Sequence, residues 1–125
     1  MSPVFTLLKS DTRTFTERLD EYLQDARAVH RSNANRDDTT ACVFAYSAGR
    51  LMTATRLAAM VQRLGDGAFA PYLRAYHQTA ERRHQADLTG DVPAEERAYN
   101  AGAAEAASEI VQMFDEARAD CGEVA

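Results

Sequence analysis

Residues 37–67 read DDTTACVFAYSAGRLMTATRLAAMVQRLGDG, and the interpretation of this stretch decides the fold. Its apolar residues, Cys42, Val43, Phe44, Tyr46, Leu51, Met52, Leu57, Met60, Val61 and Leu64, fall nearly all the way round a helical wheel. Only Ser47, Arg50, Arg56 and Arg63 interrupt them. The helix is expected to begin near Asp37 or Asp38 and to run to Leu64, where Gly65 supplies a C-terminal stop. A helix that is apolar on most sides is buried on more than one side. Within a four-helix monomer each helix still shows one face to water, and this one has too little polar surface for that. The pattern therefore predicts a homodimer with the second helix in its seam, and Ala41, Ala45, Ala48 and Gly49 permit close helix approach.

Working outward, Phe15, Leu19, Tyr22, Leu23, Ala26 and Val29 recur at helical spacing. Thr14 and Glu17 fit a capping box, which places a first helix over about residues 14–31. Ser32-Asn33-Ala34-Asn35 reads as a loop and Gly65-Asp66-Gly67 as a turn. Pro71 is expected in the first turn of a third helix, where its missing amide costs nothing, and Gly90 ends that helix. Asp91 is the expected N-cap of a fourth, with Tyr99, Ala103, Ala106, Ala107, Ile110, Val111, Phe114 and Ala117 as its apolar stripe and an end around Arg118. Connections of about four to six residues join antiparallel neighbours. The fold class is all-α: an up-down-up-down antiparallel four-helix bundle, dimeric through the second helix. One domain spans residues 1–125, with residues 1–12 as an N-terminal arm and 119–125 as a frayed tail.

Composition agrees. In 125 residues there are 24 alanines, only eight Val and Ile together, and no Trp, too few β-branched and aromatic residues for a β-sandwich or barrel. The net charge is −5, with 14 basic and 19 acidic side chains. Residues 93–125 carry −6 and residues 1–92 carry +1, so the acidity belongs to the last helix. No run of apolar residues is long enough to cross a membrane, and the N-terminus lacks the basic and apolar regions of a signal peptide. Cys42 and Cys121 fall at opposite ends of such a bundle, and two unpaired thiols favour the cytoplasm.

The sharpest constellation of chemical groups is His77, Glu81 and His84 on one face of the third helix, with His30 at a similar level on the first. Imidazoles and a carboxylate on adjacent turns suit a divalent metal. Glu81-Arg82-Arg83-His84 also has the Glu-x-x-His spacing used in di-iron carboxylate bundles. Such bundles need a second copy and two more glutamates, whereas the second helix has no Glu and no His. The competing expectation is that Glu81 pairs with Arg82 or Arg74 and that the histidines are half-buried polar residues. Arg50 and Arg56 are candidates for holding an anionic ligand, or for pairing with Glu105, Glu109 or Asp115. Glu105, Glu109 and Glu116 present an acidic face to a protein partner or simply to solvent.

No phosphate-binding glycine loop, nucleophile–base order or cysteine pair for a metal is present. Nucleic acid is excluded as a partner because clustered positive charge is lacking. The reading that follows is a small cytoplasmic, non-enzymatic interaction module with no cofactor: an adaptor, an antitoxin-like regulator or an inhibitor of a larger complex. Its partners are itself, as a homodimer, and another protein. The alternative is a metal-binding bundle using His77, Glu81 and His84.

Overall fold

A computed structural model describes residues 14–120 and places almost all of them in helices. These are α1 (Phe15–Ala34), a long span Ala41–Thr89, and a final helix Ala94–Asp120. The long span turns at Gly65, whose φ of 75° and ψ of 166° are not helical. It therefore comprises α2 (residues 41–64) and α3 (residues 66–89), and the final helix is α4.

Side-chain contacts set the directions. Thr53 and Tyr76, about equally far from Gly65 along the chain, meet hydroxyl to hydroxyl at 3.4 Å, so α2 and α3 form an antiparallel hairpin. His30 Nδ1 lies 2.7 Å from Ser47 Oγ, while the other end of α1 sits beside Ala58 and Val61. Arg74 reaches Asp115 and Asp87 meets Asn100, which makes α3 antiparallel to α4. Thus α1 and α3 run one way and α2 and α4 the other, the up-down-up-down four-helix bundle expected.

The core changes character along its length. Near the Gly65 end, Phe15, Phe69 and Phe114 pack ring against ring with centroids 5.0–5.8 Å apart, above buried Leu57, Leu73 and Ile110. Such pairs contribute about 0.5–1.5 kcal/mol each beyond the area they bury. Toward the other end the core becomes Ala80, Ala104 and Ala107. There α2 and α4 approach so closely that a Cβ on Gly49 would overlap the Tyr99 carbonyl, and one on Gly102 would overlap the Tyr46 carbonyl. Gly49, expected to serve a dimer seam, instead serves this contact within the chain.

Several boundaries differ from the expectations. The predicted capping box is present: Glu17 N donates to Thr14 Oγ1 at 3.2 Å and Thr14 N donates to Glu17 Oε1 at 2.9 Å. But α1 continues to Ala34, so Ser32 and Asn33 are helical, and the Asn35 N–H closes its end on the Arg31 carbonyl. The cap of α2 is Thr40, whose hydroxyl accepts from Val43 N, while Asp38 is held by Arg36 in the preceding turn. The α2–α3 connection is the single residue Gly65 rather than a multi-residue loop, because its positive φ alone reverses the chain. Pro71 consequently falls in the second turn of α3, leaving the Gly67 carbonyl without its usual donor. Asp91 is too early to cap α4, whose first bond runs from Arg97 N to the Pro93 carbonyl. The proposed arm, residues 1–12, and Cys121 lie outside the described residues, and α4 remains helical through Asp120.

Candidate functional site

The least ordinary surface lies on α2. Phe44, Ala48, Leu51, Met52, Thr55, Ala59 and Gln62 fall within an arc of about 100° on the helix and carry no charge. Phe44 and Met52 are 40% and 44% exposed, and Val43 adds a further open side chain at the N-terminal end. The opposite face of α2, through Ser47, Ala54, Leu57 and Val61, is buried in the bundle. The helix is therefore apolar on both sides, as its wheel suggested, and the structure identifies which side faces outward. The wheel does not single this stripe out because apolar residues surround it, although residues 44, 48, 51, 55, 59 and 62 repeat at three and four.

Two carboxylates of α4, Glu105 and Glu109, are organised by one arginine. Arg50 places Nη1 3.0 Å from Glu105 and Nη2 2.8 Å from Glu109. Tyr22 from α1 donates to Glu109 at 2.5 Å, and the Tyr46 hydroxyl donates to Glu105. The guanidinium also lies 5.5 Å from the centroid of the Tyr22 ring and 6.0 Å from that of Tyr46. Burial, followed by the hydrogen bond to Glu109, pushes the Tyr22 hydroxyl well above the usual tyrosine range. Burial and the bond to Glu105 also raise the Tyr46 hydroxyl above its ordinary value. Burial by itself works against the Arg50 charge, but Tyr22 and Glu109 outweigh it and hold the guanidinium above its ordinary value.

This network joins three helices, and its tyrosines were not legible in the sequence because Tyr22 and Glu109 lie 87 residues apart. It engages both cationic arms of Arg50, the first candidate for an anionic ligand. It also engages Glu105 and Glu109, the first two candidates for an acidic docking face. Both carboxylates remain partly exposed beside Arg50, at 53% and 43%. Glu116 is exposed and, among the described residues, accepts a single long contact, 3.5 Å, from Gln112. The last helix is acidic, and its charge is partly consumed in holding the bundle together.

On α3, His77 Nε2 and Glu81 Oε1 stand 3.7 Å apart on one face. Arg74, expected as a partner for Glu81, pairs instead with Asp115 at 2.7 Å. His84 is half-buried, with an enclosed Nδ1 that has no hydrogen-bond partner among the described residues. His30 is used locally, bonded to Ser47 and with its ring 4.5 Å from that of Phe44. Among the described residues, no group of three or more His, Cys, Asp or Glu is placed to hold a metal ion. The structure brings His77 to Glu81 and does not gather the four proposed ligands into one donor set. No helix among the described residues is long and apolar enough to cross a membrane.

No family model, curated protein or solved structure matches this chain, so the geometry of its own surfaces carries the functional argument.

Proposed function

We propose that this chain is a small interaction module that self-associates through the outward stripe of α2 and presents its acidic α4 to a basic protein partner. The observation that carries the reading is the charge-free stripe on which Phe44 and Met52 are exposed and Leu51 half-buried, on a helix whose other side is already buried. Exposed apolar side chains gathered on one helix face, rather than scattered singly, are a feature of protein contact surfaces. A second copy is the favoured occupant because a two-fold contact uses one patch twice, and a helix stripe can pack on itself. The module then acts as an adaptor, an antitoxin-like regulator or an inhibitor, with no chemistry of its own.

The deciding experiment is the solution mass of the protein across a dilution series, repeated with Phe44→Ser and Met52→Ser together. A two-chain mass that falls to one chain in the double variant, with helical content retained, supports the reading. One-chain mass at every concentration overturns it.

A further inference from the structure

A groove of about 300 Å³ runs along α3, bounded by Arg56 from α2 and by Asn100 and Ala103 from α4. Its long wall is the α3 face Tyr72, Tyr76, Thr79 and Arg83. Alanines at positions 75, 80 and 103 leave the hollow unfilled. No Asp or Glu lines it, although the chain as a whole carries −5. Three other arginines are spent on carboxylates, Arg36 on Asp38, Arg50 on Glu105 and Glu109, and Arg74 on Asp115. Arg27, Arg31, Arg63, Arg82 and Arg97 stand on exposed surface without an ion pair among the described residues and line no such groove. Arg56 and Arg83 have no ion pair or hydrogen bond among the described residues.

We propose that this groove binds a small organic dianion with a flat body, its charge held by Arg56 and Arg83 and its body resting on Tyr72 and Tyr76. The groove carries two guanidinium groups and no carboxylate, which selects for an anion. Each guanidinium offers a planar fork that matches a phosphate or carboxylate. The Tyr72 hydroxyl is without a partner among the described residues, and the Thr79 hydroxyl adds a donor on the same wall. Asn100 contributes less, because its Nδ2 already donates to buried Asp87 at 2.8 Å. The two tyrosine rings are 6.2 Å apart and tilted by 47°, an apolar surface on which a planar group can lie. The volume stands at the lower limit of ligand pockets, about 300–1,000 Å³, which restricts the ligand to a small molecule.

Two sources share this chemistry: a nucleotide-like phosphate monoester, charged at one end, and an aromatic dicarboxylate, charged at both. Calorimetric titration of the full chain with a nucleoside monophosphate, with terephthalate, with inorganic phosphate and with an uncharged nucleoside distinguishes them. Saturable binding of at least one flat dianion is expected, with affinity reduced at least about tenfold for inorganic phosphate and for the uncharged nucleoside. Arg56→Gln and Arg83→Gln, both at exposed positions, should each weaken that binding by about tenfold without changing the melting temperature. Ala75→Trp should abolish it by filling the groove while leaving both charges in place. Failure of both flat dianions to bind at millimolar concentration overturns the proposal. So does undiminished binding by the Arg56→Gln, Arg83→Gln double variant.

Discussion

Gly49 and Gly102 face each other's helix, each lying against a backbone carbonyl of the other, Tyr99 for Gly49 and Tyr46 for Gly102. Inside an exposed helix, replacing Gly by Ala stabilises by about 0.5–1 kcal/mol. Here the added methyl meets main chain, which cannot step aside, so the sign reverses. Gly49→Ala and Gly102→Ala should each destabilise the fold by about 1–3 kcal/mol, the usual cost of overpacking, read as a lowered urea midpoint.

Gly65 gives the complementary case. Nothing lies within 4 Å of a Cβ built on it, so any cost of substitution is conformational. With φ at 75° and ψ at 166° it occupies a region reserved for glycine, and Gly65→Ala should cost about 1–3 kcal/mol. The same assay checks it, and equal stability of the variant would contradict the observed hairpin.

Alkaline pH should act through Tyr22 and Tyr46. Their hydroxyls keep protons to higher pH in the fold than the value of 10.0 expected of a free tyrosine, because burial and a carboxylate partner oppose the phenolate. A group whose pKa is raised on folding contributes stability in full below its unfolded value and loses it above. The melting temperature should therefore fall as pH rises beyond 10, and Tyr22→Phe should flatten that fall. Tyrosinate absorbance of the folded protein provides the independent check.

Arg50→Met leaves Glu105 and Glu109 facing two tyrosine hydroxyls without the cation between them. The pairs are partly solvated, so the loss should sit near the low end for charged hydrogen bonds, about 1.5 kcal/mol. A double-mutant cycle with Glu109→Gln isolates the coupling, which should exceed that of the more exposed Arg74–Asp115 pair.

The helices and their alternating directions were legible because Phe15, Leu19, Leu57, Leu73 and Ile110 stand at helical spacing and all five are buried. The Thr14–Glu17 cap was equally plain, since its chemistry is local. Expectation and structure part where one residue does the work of several. Gly-Asp-Gly suggested a loop, but Gly65 alone makes the turn, and Thr40 outcompetes Asp37 and Asp38 because it stands immediately before the first helical turn. The pairing of Arg56 with Arg83 around one groove was hidden for another reason. It depends on the register in which α2 and α3 pair across Gly65, which no local pattern encodes.

The one-residue turn at Gly65 also bears on how this gene can change. The links at residues 35–40 and 90–93 lie outside the helices, so a codon added there shifts no helical register. An extra residue in α2 or α3 close to Gly65 would instead rotate the rest of that arm by about 100°. Inserted on the α2 side, it would carry Phe44, Arg50 and Arg56 away from their present neighbours at once. Homologues of this chain should therefore vary in length at those two links, and hold the count from residue 41 to residue 89 constant.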